Sequence, residues 1–260
     1  MQFSETWLRS LCNPSLSSEE LCHVLTMAGL EVEERRAAGA DFSSVVVAEV
    51  LSVGKHPDAD KLKLCSVDIG GTDPLQIVCG APNVAAGMKV PCALVGAKLP
   101  GIEIRKARVR GIESSGMLCS ARELGLSDDH GGLLPLAADA PVGEDIRRHL
   151  DLDDHLITLK LTPNRADCLS LLGIARELSA LTGAPLLAPE VKPVAAVVAD
   201  VRQIVLDAPA SCSRYCGRIV RGVNAKAPTP EWMKRRIERS GIRAISFLVD
   251  VTNYGMLELG

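Results

Sequence analysis

The sequence is poor in aromatic residues, because Phe, Trp and Tyr make up only 3% of its 260 residues. A hydrophobic core must therefore consist mainly of Val, Leu, Ile and Ala. No run approaches about 18 apolar residues, so we predict no membrane-spanning helix. The N-terminus carries Glu5 early and has no long apolar segment, which argues against a secretory signal.

Common catalytic and metal-binding motifs are also missing. We find no phosphate-binding GxxxxGK[ST] loop, no GxGxxG and no GxSxG nucleophile turn. None of the nine cysteines forms the CxxC pair that zinc and thiol redox sites favour. Because the sequence has no export signal, we expect reduced, cytosolic thiols that act as small buried apolar residues. Cys212 and Cys216 are four residues apart, but no second ligand pair lies nearby. The five histidines are scattered (23, 56, 130, 149 and 155), and generic motifs nominate no active site.

The N-terminal segment has helical signals. Ser17 and Glu20 form a capping-box pattern, in which each side chain accepts a hydrogen bond from the other residue's backbone. Apolar residues follow at helical spacing, and Gly29 predicts the helix end. Residues 1 to about 40 are therefore predicted to be helical.

A second helix is predicted within residues 158–183. Thr162 is expected to start it, an apolar stripe follows, and Gly183 is expected to end it. The next stretch, 185–200, is rich in Pro, Ala and Val. It is typical of a linker or of the approach to another domain.

The segment from 44 to about 148 has the pattern of an all-β domain. Five strand-like runs in about 100 residues predict a small barrel of the oligonucleotide-binding (OB) type, or a sandwich. Turn signals separate these runs, which span 44–53, 62–69, 76–79, 89–95 and 102–109.

Charge is distributed unevenly along the chain. Residues 201–260 contain ten Lys and Arg against five Asp and Glu, whereas residues 1–200 contain 19 against 27. The run Thr229–Glu231 predicts a helix start in the basic part, and Gly241 predicts its end. A basic helix of this kind fits either a nucleic-acid contact or a solvated face.

Three groups of motifs, in their order along the chain, resemble the β subunit of bacterial phenylalanyl-tRNA synthetase. They are HPDADKL at 56–62 with GAPNV at 80–84 and GIESSGMLCS at 111–120, then TPNRADCLS at 162–170 with GIAREL at 173–178, then VDVTNY at 249–254 with LELG at 257–260. The first group also resembles the tRNA-binding barrel of other proteins. The second and third occur together in the β subunit, and the resemblance covers the whole chain.

The resemblance implies a multidomain α+β fold. It assigns 1–39 plus 152–190 to a small α-rich domain, and 40–151 to a five-stranded OB-fold barrel inserted in that domain. Residues 200–260 would form the truncated start of an α+β editing domain. Family members are several times longer, so the sequence reads as an N-terminal fragment.

The resemblance also implies an activity and partners. The family is an α₂β₂ ligase of the cytoplasm that uses ATP and Mg²⁺ to join phenylalanine to tRNA(Phe). The expected partners are therefore tRNA(Phe) and the alpha subunit, with no DNA and no membrane. The family's active site lies in the alpha subunit, and no motif of an adenylate-forming core is present here. We therefore expect no catalytic residue, metal or cofactor in these 260 residues, and no charging by the chain alone.

Nine residues of the predicted barrel are candidates for tRNA binding. On the predicted strand 102–109, the side chains of 106, 108 and 110 share one face, which can neutralise phosphates. The alternative is a scaffolding barrel, because the segment offers few aromatic rings for base stacking. The candidates are Lys55, His56, Lys61, Lys63, Lys98, Arg105, Lys106, Arg108 and Arg110.

Editing answers a physical problem, because an apolar phenylalanine pocket rejects the added hydroxyl of tyrosine by only about 100-fold. Thr252 and Asn253 match the family motif near the editing pocket and can hydrogen-bond a hydroxyl. A capping or turn role is the alternative. For Asn164, Arg165 and Asp167, the predicted helix start favours capping and interdomain hydrogen bonds over catalysis.

A second hypothesis is a stand-alone tRNA-binding scaffold protein with no enzyme attached. The motifs at 162–170 and 249–260 argue against it. A secreted cytokine-like barrel is disfavoured by the missing signal and the expected reduced thiols. Continuation of the gene beyond Gly260 would favour the ligase subunit.

Overall fold

The computed structural model describes residues 1–127 and 131–260, so His130, one of the five scattered histidines, lies outside the described residues. The chain divides into unit 1, made of Met1–Glu34 and Ile157–Gly260, and unit 2, made of Arg35–Leu156. Within the described ranges, no helix combines the length and apolar character needed to cross a membrane.

The elements follow in chain order. They are β1 (Gln2–Ser4), α1 (Glu5–Leu11), α2 (Ser18–Met27), β2 (Glu31–Ala37), β3 (Ser43–His56), β4 (Ala59–Asp68), β5 (Leu75–Cys79), β6 (Lys89–Leu99), β7 (Ile102–Glu103), β8 (Ala107–Val109), β9 (Ile112–Ser114), β10 (Met117–Leu118), α3 (Ile146–His149), β11 (His155–Lys160), a 3-10 helix (Pro163–Cys168), α4 (Leu171–Thr182), α5 (Glu231–Arg239) and α6 (Phe247–Leu259).

The capping prediction for α2 is confirmed. The Ser17 hydroxyl accepts from the Glu20 N–H, and the Glu20 carboxylate accepts from the Ser17 N–H. The Ser17 N–H and the Ser17 hydroxyl both donate to the Glu20 carboxylate and lower its pKa. Gly29 follows the helix with a φ of 86°, a conformation that favours glycine.

The prediction that residues 1–40 are helical is only partly confirmed, because this segment also contains strands. Strands β1 and β2 lie there and join β11 in a sheet with the order β1-β11-β2. The partner strand lies far along the chain, so the local sequence could not reveal the pairing.

The start of the second helix was also predicted wrongly. A 3-10 helix occupies Pro163–Cys168, and α4 begins only after Ser170, whose hydroxyl accepts from the Gly173 N–H. Arg165 has non-helical backbone angles, which prevents one continuous helix. The end at Gly183 is confirmed, with a φ of 72°.

An arginine–aromatic cluster joins α1, α5 and α6 in unit 1. The guanidinium carbon of Arg236 lies 5.0 Å from the Trp7 ring centre and 5.6 Å from that of Trp232. Trp7 stacks on Tyr254 with ring centres 5.0 Å apart. Arg236 Nη1 donates to the Tyr254 hydroxyl, which donates in turn to Glu258. The positive charge of Arg236 is thus used inside unit 1.

A curled antiparallel sheet forms the centre of unit 2. Its strand order is β10-β6-β3-β4-β5, and β7 pairs with β6. The β8–β9 hairpin is a separate two-stranded ladder.

Both faces of this sheet are buried. Alternate residues of β3 point to opposite faces, so Val45 and Val47 join one apolar cluster while Ala48 and Val50 join the other. Strand β6 alternates in the same way. Apart from Phe42, small and branched side chains fill both clusters, as the low aromatic content predicts.

A bulge interrupts the alternation in β3. Val50 pairs with Val67, but the next partner of β4, Ser66, pairs with Ser52, so Leu51 has no partner in the ladder. The extra residue returns Val53 and Lys55 to the face that carries Val50.

The fifth predicted strand, 102–109, is not a single strand. It is divided into β7, which pairs with β6, and β8, which pairs with β9. Ile104 between them turns inward and is buried. The expectation that 106, 108 and 110 share one strand face is therefore wrong, since Arg110 has a φ of 45° in the hairpin turn.

Candidate nucleic-acid interface

His56 holds two separate segments of unit 2 together. Only 4% of its surface is exposed. Its Nδ1 accepts from the Asp58 N–H at 3.1 Å, so Nε2 carries the ring hydrogen and donates to the Val109 carbonyl at 3.2 Å. The second bond fixes the β8–β9 hairpin against the β3–β4 junction. The structure therefore makes His56 a positioning residue of this region.

Four exposed cations flank the segments that His56 joins. Lys55 and Lys61 belong to the β3–β4 junction, and Arg108 and Arg110 flank the carbonyl that His56 binds. None of the four has an ion-pair or hydrogen-bond partner for its side chain among residues 1–127 and 131–260. We call these four residues the cationic rim. Two groups that are separate in sequence thus meet in one region.

Lys63 has a different environment. It lies directly opposite Lys55 on one side and opposite Cys79 on the other. Its ammonium donates to the carbonyls of Pro82 and Val84, at 3.3 and 3.4 Å. Lys63 is therefore half-buried and anchored to the loop after β5.

The remaining three candidates lie beside acidic residues. Arg105 forms an ion pair with Glu103 at 3.0 Å, and Lys98 stands opposite the same glutamate in the β6–β7 ladder. Lys106 pairs with Glu113 at 2.6 Å. These acidic neighbours offset the positive charge that the sequence pattern suggested.

A cavity of about 710 Å³ in unit 2 adds a residue that the sequence reasoning missed. The Ser120 hydroxyl and N–H both donate to the Glu123 carboxylate, which fixes a tight turn at its edge. Arg122 lies in this turn, exposed and with no partner among the described residues. Its position just after the GIESSGMLCS motif was the available signal.

The Asn164, Arg165 and Asp167 motif in unit 1 is built around the arginine. Arg165 donates to Asp167 at 3.2 Å and to Glu177 of α4 at 3.0 Å. The hydrogen bond from Arg165 lowers the pKa of Asp167. A Cβ at Gly173 would collide with the Asp167 carbonyl, so the 3-10 helix and α4 pack at backbone distance.

Thr252 and Asn253 lie on α6, away from its ends. The Thr252 hydroxyl is exposed and donates to the Val249 carbonyl at 2.7 Å, and Asn253 is half-buried. Nearby, the buried Asp250 accepts from the Thr229 hydroxyl and the Ile245 N–H, which lower its pKa. Asp250 thereby ties the start of α6 to the segment before α5.

Two sequence families match parts of the chain. Residues 45–145 match the family described as "Putative tRNA binding domain", and residues 211–260 match the "B3/4 domain". Among solved structures, the MetRS related protein from Pyrococcus horikoshii is 23% identical over 38% of this chain and 85% of its own, with a TM-score of 0.30. That score is too low to support an argument.

The curated relatives are similar over the whole chain. Proteins named phenylalanine–tRNA ligase beta subunit from Aromatoleum aromaticum and Dechloromonas aromatica are 67% and 69% identical over 100% of the chain. The chain spans about a third of the length of each relative, with 33% covered.

The tRNA-binding family match covers the curled sheet, and the relatives are subunits of an aminoacyl-tRNA synthetase. Together these findings indicate the class of aminoacyl-tRNA synthetase subunits. Within that class, the chain is similar over its full length to phenylalanine–tRNA ligase beta subunits.

Proposed function

We propose that this chain supports the ATP-dependent joining of phenylalanine to tRNA(Phe) as part of a cytoplasmic phenylalanine–tRNA ligase. Its contribution is to bind tRNA and to position the other parts of the enzyme. The similarity of the whole chain to phenylalanine–tRNA ligase beta subunits supports this role. The observation that carries the tRNA-binding part is the cationic rim, which His56 assembles from two segments.

We propose the following domain organisation. Residues 40–151 form a five-stranded OB-fold barrel, residues 1–39 with 152–190 form a small α-rich domain, and residues 200–260 belong to an editing domain. The curled sheet and its tRNA-binding family match support the first assignment. The B3/4 match over 211–260 supports a separate domain there.

The proposed partners are tRNA(Phe) and the alpha subunit of an α₂β₂ enzyme. ATP and Mg²⁺ are assigned to the alpha subunit, where the family carries its active site. Among the described residues, no three His, Cys, Asp or Glu side chains converge as a protein-held metal site would require.

Phosphate contact is the proposed mode of tRNA binding. Lys and Arg that neutralise phosphates release condensed counterions, so affinity falls as salt rises. Lys55, Lys61, Arg108 and Arg110 are exposed and have no described acidic partner competing for them. Arg105 and Lys106 must first leave their glutamates, so they contribute less.

Thr252 and Asn253 are proposed to serve editing of Tyr-tRNA(Phe) in the complete editing domain. Asn253 offers an amide, and Thr252 offers a hydroxyl whose oxygen can still accept a hydrogen bond. Such groups are suited to recognising the hydroxyl that distinguishes tyrosine from phenylalanine.

The tRNA-binding proposal is tested by charge reversal at the rim. A tRNA(Phe) transcript is titrated at several salt concentrations with the chain and with its K55E/R108E/R110E variant. We expect affinity to fall at least about tenfold, and the slope of log K against log salt to become shallower by about two to three. The control is R148E/R176E/K192E, which changes the net charge equally at other exposed sites. Equal effects of the two variants, or no effect of either, would contradict the proposal.

A further inference from the structure

Two cysteines of unit 2 lie side by side on one face of the curled sheet. In the β4–β5 ladder Cys65 pairs with Ile77 and Lys63 pairs with Cys79, so the two cysteines are diagonal neighbours. Both belong to the same apolar cluster. Cys79 ends β5 and lines the 710 Å³ cavity, whereas Cys65 lies deeper in the sheet. A small molecule in the cavity therefore meets Cys79 first.

The surroundings of Cys79 favour its thiolate. The Ala81 N–H donates to its sulfur at 3.4 Å. Lys63 stands directly opposite, with its ammonium held over the next loop at Pro82 and Val84. The neighbouring Cys65 thiol, the Ala81 N–H and Lys63 lower the pKa of Cys79, against the opposing effects of burial and of Glu123. The pKa of Cys65 is raised, chiefly by the same contact with Cys79.

Other cysteines of unit 2 provide a contrast. Cys92 and Cys119 are fully buried, and burial raises the pKa of each to about 12. Among the described residues, no cation lowers the pKa of either thiol. Both therefore act as inert, small apolar residues. Only the 65/79 pair combines a neighbouring thiol, a cation and access from a cavity among these four.

We propose that Cys79 is a modification site for hydroperoxides, with Cys65 as the thiol that resolves the product. The Cys79 thiolate attacks one oxygen of hydrogen peroxide, forming the S–O bond of a sulfenic acid and releasing hydroxide as the O–O bond breaks. The Cys65 sulfur then attacks the Cys79 sulfur, its thiol proton passes to the departing hydroxyl, and water leaves as the disulfide forms. The hydroxide released in the first step takes up the proton that the Cys79 thiol lost on ionising, which gives the second water. Two thiols are oxidised, and one peroxide is reduced to two waters. This site is independent of the proposed tRNA binding.

The test uses the chain in a C212S/C216S background, because those two cysteines are exposed. The protein receives one equivalent of hydrogen peroxide with the sulfenic-acid probe dimedone, followed by iodoacetamide and peptide mass spectrometry. We expect a Cys65–Cys79 crosslink, with both residues lost at least about tenfold faster than Cys92 and Cys119. Those two serve as internal controls in the same molecule.

Two variants separate the roles of the cysteines. C65S should accumulate dimedone-labelled Cys79, and C79S should leave Cys65 unoxidised. Circular dichroism of each variant checks that the fold is kept. Oxidation of Cys79 no faster than Cys92 would overturn the proposal. Dimedone labelling of Cys79 without a crosslink in the parent would overturn the resolving role of Cys65.

Discussion

Arg236 and Arg165 of unit 1 and Arg108 and Arg110 of unit 2 have opposite environments. In unit 1, Arg236 lies between two tryptophan rings and bonds to Tyr254, and Arg165 holds the 3-10 helix to α4. In unit 2, Arg108 and Arg110 are exposed with no described partner. Residues 201–260 carry an excess of five positive charges, yet Arg236 of that segment is held inside unit 1 by its aromatic and hydrogen-bond partners. What a basic segment can bind therefore depends on whether its side chains already have partners within the protein, as well as on how many basic residues it contains.

Substituting the two tryptophans that contact the Arg236 guanidinium tests how this cluster stabilises unit 1. Trp7 is 1% exposed, so Trp7→Ala should lower the free energy of unfolding of unit 1 by about 3–5 kcal/mol. Trp232, the matched ring on the other side of the guanidinium, is 49% exposed, and Trp232→Ala should cost less than about 1.5 kcal/mol. Urea unfolding followed by circular dichroism measures both, and equal losses would show that burial of Trp7 is not what holds the cluster.

Alkaline pH should weaken the same cluster. Burial, and the hydrogen bond to Glu258, raise the pKa of Tyr254 to about 12, above the value of about 10 for a free phenol. The neutral phenol is therefore favoured in the folded state, so its stabilisation is complete below pH 10 and is lost as pH rises from 10 to 12.

Urea midpoints at pH 9, 10 and 11 would measure this loss. Tyr254→Phe should remove part of the dependence, whereas Tyr215→Phe, at a tyrosine that is 66% exposed, should leave it unchanged. The same alkaline slope in the Tyr254→Phe protein would contradict the assignment.

Substitutions of His56 test whether it positions the cationic rim for tRNA binding. Loss of its bond to Val109 should release the hairpin, so His56→Phe should weaken tRNA binding about three- to tenfold without altering the salt slope. His56→Gln can still donate to Val109 and should lose less. Arg110→Ala should instead lower the slope by about one, because a phosphate contact is removed. A changed slope for His56→Phe would mean that the histidine itself meets phosphate.

The smallest effects are expected at the paired cations. Arg105→Ala and Lys106→Ala remove exposed ion pairs, so each should change the free energy of unfolding by less than about 0.5 kcal/mol. The tRNA affinity should change by less than about twofold, and Arg108→Ala should exceed both. A loss at Lys106 equal to that at Arg108 would extend the binding surface to the paired residues.

Local features were predictable from the sequence, and long-range ones were not. The capping box of Ser17 and Glu20 and the stop at Gly183 depend on neighbouring residues alone, and both were identified. The pairing of β1 with β11, and the break at Ile104, depend on partners elsewhere in the chain. A 3-10 turn replaced the expected helix start because of the backbone at Arg165.

In the candidate site too, features set by residue type were predictable, and features set by distant parts of the chain were not. Residue type and clustering pointed to Lys55, Lys61, Arg108 and Arg110 as cations of interest. Sequence could not separate them from Arg105 and Lys106, since that requires knowing where Glu103 and Glu113 lie. Nor could it indicate that His56 faces Val109 rather than solvent. Arg122 was missed because it is a single cation whose significance comes from the adjacent cavity.

The unpaired Leu51 changes which residues of β3 point to each face of the sheet. Before it, even-numbered residues face the cluster that holds Cys65 and Cys79, and after it the odd-numbered ones do. Deleting Leu51 would place Ser52 directly after Val50 and still opposite Ser66, so the ladder would become regular and the later residues would keep their faces. Lys55 would stay in the row it shares with Lys63 and Cys79. The deletion would instead remove the bend and the extra twist that a bulge gives a strand, and with them the direction in which β3 continues toward Lys55 and His56.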